Sequence, residues 1–438
     1  MLAAVTNAMR IPDLRRKVLF TVAMLVIFRF IASVPVPGVD RGALRDFVEQ
    51  SQILQVLNLF SGSGLTNFSI AALGVYPYIT ASIIMQLMTP IIPRLNELSN
   101  EGQQGRNQLN RYTHYLTVPL ALLQAYGQAL LFSNQSSAAG TPLIEGFGLF
   151  DSATWLGTIA ILMSLTAGTM LLVWIGELIT ENGIGNGISI IIFGGIVASL
   201  PGTLGGLLTG NSAAQNVIGT ILFLLIGLAT IIGVVLINEG QRRIPVHHAK
   251  RIRSGRVYGG NTTFIPLKVN SAGMIPLIFA VSIMVFPGMI ATFLQSSSQD
   301  WVVSLAGWVQ RFFNPLSLQY NIIYFLMVVA FTYFYTLVVF EQQKIPQDLQ
   351  RQGAFIPGIR PGRNTSVYLR TVLNRITLVG AVFLGTVAVL PFIAAQITGV
   401  NELQLGSTSL LIVCGVAVDT MRQLEAQLMM RNYEGFIR

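Results

Sequence analysis

A chain of 438 residues in which 52% are hydrophobic and only 10% charged, with a mean hydropathy of +0.63, does not describe a water-soluble protein. Ordinary globular domains carry about a quarter charged residues, so the composition excludes a soluble enzyme as well as a disordered or collagen-like chain. The formal charge of +9, from 27 Lys and Arg against 18 Asp and Glu, matters in such a chain through where the charges sit.

Apolar runs of about twenty residues recur, each long enough to cross a hydrocarbon core about 30 Å thick at a rise of 1.5 Å per residue. The first covers 18–34 and follows Arg15, Arg16 and Lys17, as a secretory leader would. Arg29 interrupts it, no small-x-small cleavage site precedes Pro35 and further spans follow, so it reads as a retained span with Arg29 near enough its outer end to snorkel. The approach to the second span, 75–92, is too interrupted for one helix. Ser61-Gly62-Ser63-Gly64 opens it, Thr66 or Asn67 is placed to cap a short helix through about Leu73, and Gly74-Val75-Tyr76-Pro77 breaks that helix. A half-length helix must be buried in protein or line a water-filled cavity, because its ends leave backbone groups unpaired; a re-entrant segment or plug follows.

Spans three and four are expected at 116–132, with Pro119, and at 155–175. The run Glu181-Asn182-Gly183-Ile184-Gly185-Asn186-Gly187-Ile188-Ser189 then opens span five, 188–200. Its glycine spacing superficially matches a phosphate loop, but no strand precedes it and no Lys-Ser/Thr follows, so close helix packing explains the small residues better. The remaining spans are 217–237, 272–294 with Pro276 and Pro287, 322–340, 378–395 and 409–428. Cys414, in an apolar run of the last, is the single cysteine; it reads as a packing residue and excludes an intramolecular disulfide or a Cys-based metal cluster.

Alternating the segments between spans sorts the charge. Of the 27 Lys and Arg, only Arg41, Arg45 and Arg311 fall opposite the N-terminal side, with Arg29 inside a span. The positive-inside rule puts both termini in the cytoplasm, and a miscount of one span would have scrambled the segregation. The two largest cytoplasmic segments, 239–270 and 341–377, are basic and rich in turn residues, as expected of a docking platform for a cytoplasmic partner. His247 and His248 lack a third ligand, so no metal is expected there. Deep in the spans there is no Asp, Glu, Lys or His, with Glu177, Glu181 and Asp419 near cytoplasmic ends, and any pathway has an apolar waist.

The stretch Ser69-Ile70-Ala71-Ala72-Leu73-Gly74-Val75-Tyr76-Pro77-Tyr78-Ile79-Thr80-Ala81-Ser82-Ile83-Ile84-Met85-Gln86-Leu87 resembles the helix-two signature of the SecY family, central subunits of the bacterial protein-translocation channel. Residues 172–193, with Gly176-Glu177 and Thr180-Glu181, resemble its second signature. Gly240-Gln241-Arg242-Arg243-Ile244 and Gly353-Ala354-Phe355-Ile356-Pro357-Gly358-Ile359-Arg360-Pro361-Gly362 agree as well, so the resemblance covers essentially the whole chain.

The resemblance implies an all-α polytopic fold of ten helices in two inverted five-helix halves, 1–210 and 211–438, around an hourglass pore that opens sideways between helices two and seven. The halves themselves show little visible similarity. A pore ring is implied at Val75, where the family has isoleucine, and at Ile79, Ile188, Ile192, Ile278 and Ile412; branched aliphatic side chains offer ions no ligands yet yield around a polypeptide. The plug corresponds to about 60–73, with Leu65, Asn67, Phe68, Ile70 and Leu73, and the lateral gate to Thr80, Gln124 and Phe286, whose polar atoms are expected to latch the closed state. The basic loops would engage the SecA motor or the ribosome, including ribosomal RNA, through Arg243, Lys250, Arg251, Arg256 and Arg360. SecE and SecG are the implied small partners, signal sequences and unfolded preproteins the cargo, and membrane lipid the destination of apolar segments. Location in the bacterial cytoplasmic membrane is implied, with no cofactor and no bond chemistry of the chain's own. A secondary transporter of a small solute is the second reading, favoured by broken helices but lacking intramembrane charge and a polar midplane site. An intramembrane enzyme is more distant, since neither paired acids nor a Ser/His dyad sits at bilayer depth.

Overall fold

The computed structural model describes residues 11–36, 61–133, 154–209, 217–248, 251–253, 256–258, 262–295, 299–315, 317–398 and 403–434, with isolated positions between 44 and 58 and at 144 and 147. Each expected span falls on a helix. These are α1 (Pro12–Ser33), α2 (Tyr76–Met88), α4 (Gln103–Ser133), α5 (Trp155–Asn182), α6 (Gly187–Thr209), α7 (Val217–Glu239), α8 (Ile275–Leu294), α10 (Leu318–Gln343), α12 (Arg363–Thr398) and α13 (Leu403–Glu434). Shorter helices α3 (Pro93–Asn100), α9 (Asp300–Phe312) and α11 (Ile345–Arg351) lie between them. Several helices outrun their spans, α4 by beginning at Gln103 and α12 by beginning at Arg363. Hydropathy marks where lipid ends; the backbone ladder continues into polar residues that water solvates.

Among the described residues, four helical stretches are both long and apolar enough to cross a membrane, 103–133, 155–182, 318–351 and 363–394. The 13 residues of α2 reach only about 20 Å, so the second span depends on the irregular chain that leads into it. The helices pack around one buried cluster that draws on α1, α2, α4, α5, α6, α8, α10, α12 and α13. Neighbours in sequence pack side by side in α4–α5 and α5–α6, while α8 packs against both α10 and α2.

The short helix expected over 66–73 is not formed: residues 61–75 run as successive turns, with Phe68 in the left-handed region at φ 39°. Local side chains outcompete the helical ladder, because the Leu65 N–H donates to Ser61 Oγ at 3.1 Å and the Thr66 N–H to Asn58 Oδ1 at 3.1 Å. The strand-like tail of α1 takes further backbone groups, with Val36 N–H to Phe68 O at 2.9 Å and Ile70 N–H to Val34 O at 3.0 Å around a Pro35–Ser69 bridge. The Arg29 side chain is exposed, and its guanidinium Nη1 donates to the Gly62 carbonyl, tying α1 to these turns.

The two basic loops form a small sheet, in the order β4 (Thr262–Lys268), β1 (Gln241–His248), β5 (Ala354–Phe355). Strand β1 pairs antiparallel with β4 from Gln241↔Lys268 to His247↔Thr262, and with β5 at His247↔Phe355 and His248↔Ala354. The two basic loops therefore share one sheet, over a second core that includes Ile244, Val246, Leu267, Phe340, Leu369 and Leu373. Strands β2 (Arg251–Arg253) and β3 (Arg256–Tyr258) pair as a separate hairpin. His247 stacks on Phe355 with centroids 6.0 Å apart, and His248 Nε2 lies 3.0 Å from Thr263 Oγ1, so both histidines are engaged within the sheet.

Candidate functional site

The chain enters α2 through Val75, and Pro77 in the first turn fits because an N–H there has no helical partner to lose. Val75 and Ile79 stand one turn apart on the same face, as do Ile188 and Ile192 on α6. With Ile278 of α8 and Ile412 of α13 they belong to the main buried cluster, Val75, Ile79, Ile192, Ile278 and Ile412 buried and Ile188 half-buried against it. No side chain of this set carries a polar atom that would ligate an ion.

On the sheet side, a cavity of about 450 Å³ has walls of mixed character. Asn186, Ser189, Lys268, Asp419 and Arg422 line it together with apolar Ile278 and Val416. Its rim is braced by polar contacts: Asn270 Nδ2 donates to Asn238 Oδ1 at 2.8 Å and to Gly273 O at 3.1 Å, and Arg422 Nη2 donates to the Asn238 carbonyl and to Glu239 Oε1 at 3.2 Å. These bonds join the end of α7, the chain before α8 and α13.

On the opposite side lies the turn segment. Leu65, Phe68 and Leu73 are buried, Ile70 is half-buried and Asn67 is exposed. Phe68 meets Phe132 of α4 edge-on, with centroids 5.5 Å apart. A Cβ added at Gly168 of α5 would lie 2.0 Å from the Ile70 carbonyl oxygen, so only glycine lets α5 come this close. The segment is thus seated against α1, α4 and α5 and runs directly into Val75.

Helices α2 and α8 meet along a seam, with α4 also against α8. Of the residues expected to latch it, Thr80 turns its Oγ1 to the Tyr76 carbonyl of its own helix at 3.0 Å. Gln124 is buried on α4, neither amide atom hydrogen-bonded among the described residues, and Phe286 is half-buried against the main core. A bond does cross the seam from Tyr76, whose hydroxyl donates to the Ser282 carbonyl at 2.7 Å. Tyr76 stands in the quoted signature, yet nothing in the sequence says that its hydroxyl would reach a backbone carbonyl 206 positions away.

Among the basic residues, Arg243 is exposed on β1 and Arg360 is exposed in the turn after β5. Gly358 at φ +79° and Gly362 at φ +101° supply backbone that other residues rarely adopt, and the Arg360 carbonyl accepts from Thr365 Oγ1 at 3.0 Å. Arg251 and Arg256 begin β2 and β3. Lys250 lies outside the described residues.

Comparison with known proteins bears on this arrangement. The SecY family profile matches residues 69–421. Protein translocase subunit SecY of Mycobacterium tuberculosis is 42% identical over 453 residues, covering 100% of both chains. That of Streptomyces scabiei is 41% identical over 444 residues, again with 100% of both chains covered. Among solved structures, one described as a protein conducting channel aligns with a TM-score of 0.62 at 17% identity over 96% of each chain. Sec61 in the canine ribosome-channel complex from the endoplasmic reticulum aligns at 0.60, also with 17% identity and 96% coverage of each. At that identity the two structures speak for the fold, while the profile and the full-length relatives speak for descent: the chain belongs to the SecY family.

Proposed function

We propose that this multi-pass membrane protein is the pore-forming subunit of a protein-conducting channel. It passes unfolded secretory polypeptides across the membrane and releases apolar segments into lipid between α2 and α8. The observation that carries this reading is that Val75, Ile79, Ile188, Ile192, Ile278 and Ile412, drawn from α2, α6, α8 and α13, all belong to or pack on the main apolar core, which also takes in the turn segment, while Ile278 borders the polar cavity. A narrow apolar neck excludes water and hydrated ions, while its flexible walls part around a chain. The turns with Leu65, Asn67, Phe68, Ile70 and Leu73 act as plug, and Thr80, Gln124 and Phe286 border the gate. Burial of Gln124 without a bonded partner suits a residue whose hydrogen bonds are made when the seam opens to a signal sequence.

The halves 1–210 and 211–438 hinge about this waist, clamped by SecE and accompanied by SecG. In this reading both termini face the cytoplasm of a bacterial cell. The SecA motor or a ribosome docks on the sheet platform through Arg243, Lys250, Arg251, Arg256 and Arg360, with ribosomal RNA phosphates among the acceptors, and the partner supplies nucleotide energy. The Sec61 neighbour, solved in a ribosome-channel complex, supports a ribosome as a partner.

The test is proximity during transit. With the single cysteine Cys414 changed to Ala, Ile278→Cys is expected to crosslink to a polypeptide stalled during translocation, and a lipid-facing Leu228→Cys is not. Equal labelling of both would remove the conduit from between the ring residues. A second expectation concerns Arg360, whose guanidinium makes forked bonds to carboxylate or phosphate. Arg360→Glu is expected to cut motor-driven translocation at least tenfold while membrane insertion is unchanged. Wild-type rates in vesicles would take Arg360 off the docking surface.

A further inference from the structure

Helix α9 was not foreseen among the spans, and its 13 residues, about 20 Å of helix, are too short to cross a bilayer. It follows α8 and precedes α10 through the short linkers 295–299 and 313–317, so it is held at the membrane face opposite the sheet. Its sequence sorts into adjacent rows. Val302, Ala306 and Val309 turn toward the protein, Ala306 fully buried. Asp300, Ser304 and Arg311 form an exposed polar row. Between them runs an apolar row in which Trp301, Leu305 and Trp308 are 69%, 53% and 63% exposed, and Phe312 stacks on Trp308 with centroids 5.3 Å apart.

We propose that this aromatic row is a lipid-binding surface: α9 lies in the bilayer interface, with Trp301, Leu305 and Trp308 in the boundary between headgroups and acyl chains. Three observations select lipid as the occupant. The helix is tethered through short linkers to the apolar α8 and to α10, which lies in the stretch 318–351 that is long and apolar enough to cross a membrane, so it stays at that depth whatever else it touches. Its exposed apolar row adjoins the protein-facing row on one side and the polar row on the other, which orients it with one edge down and one edge wet. Tryptophan carries an apolar ring with one N–H donor, the combination favoured at that depth, and Trp301 Nε1 is satisfied locally by Gln299 Oε1 at 2.8 Å. Because α9 packs directly on α8, the seam helix is anchored to the interface at its far end.

The experiment uses the full chain with Trp155→Phe and Trp174→Phe, which leaves Trp301 and Trp308 of the 4 tryptophans. The protein is reconstituted in phosphatidylcholine and phosphatidylglycerol vesicles containing lipids brominated either high on the acyl chain or at its end. Upper-chain bromine is expected to remove most of the emission and terminal bromine little of it, with aqueous acrylamide several-fold less effective than on a free tryptophan amide. Strong acrylamide quenching without bromine quenching would mean that the row stands in water. Insensitivity to both would mean that protein covers it. Either result overturns the proposal.

Discussion

Deletion of residues 65–73 is expected to turn an electrically silent protein into a leaky one. Leu65, Phe68 and Leu73 are buried in the main cluster, and each contributes roughly 2 kcal/mol by leaving water. Backbone bonds to Val34 and Val36 and the Arg29 contact at Gly62 add to the hold. The segment is therefore bound in place by several kcal/mol, more than enough to keep its open fraction below a percent. In the proposed channel its loss would leave the aliphatic ring to separate the two aqueous sides, and a short apolar constriction wets transiently. Conductance in planar bilayers at fixed voltage checks this, with a thermal melt of the deleted chain as the fold control. Silence from both proteins, the deletion still folded, would leave the ring as the whole seal and reduce residues 65–73 to packing.

A single methylene-bearing side chain should produce a related defect from a distance. Gly168→Leu puts a Cβ 2.0 Å from the Ile70 carbonyl oxygen, a separation that no rotamer relieves because both partners are backbone-fixed. Either α5 moves out of the bundle or the turn segment moves off its seat, and the segment, held by fewer elements, is the one expected to yield. The variant should leak ions and melt several degrees lower, since overpacking costs about 1–3 kcal/mol. Coupling separates this from general damage: in the chain lacking 65–73, Gly168→Leu should add little further conductance, because the group it collides with is gone. Additive leak in the double variant would place the damage elsewhere in the bundle.

The spans were legible because lipid imposes one rule on every crossing segment, and charge segregation gave an independent check on their number. Their ends were not all legible, since helices such as α12 begin in polar residues that hydropathy scores as loop. The turn segment was misread for a different reason. Ser, Thr and Asn at its start satisfy helix capping and turn formation equally well, and the outcome was decided by the pairing of Phe68 and Ile70 with residues 34–36, which sequence proximity cannot reveal. Long-range pairing also hid the sheet: β5 has two residues, too few for any alternation to register, and joins β1 across more than a hundred positions. The ring positions came from the family resemblance, because an isoleucine at a waist and one in ordinary packing look alike in a single sequence.

The two-residue pairing of β5 with β1 carries a mechanical implication. A loop attached at one point is a swivel, and a partner pulling on it would merely turn it. Here the loop bearing Arg360 and the strand bearing Arg243 share a sheet and the apolar core beneath it, so a load applied to either is borne by both. Strand β1 begins just past the end of α7 and β4 ends just ahead of α8, and Asn238, Asn270 and Arg422 bolt that root together. If a partner docks there as proposed, a push on the sheet reaches α8 through this root instead of being lost in a loose loop.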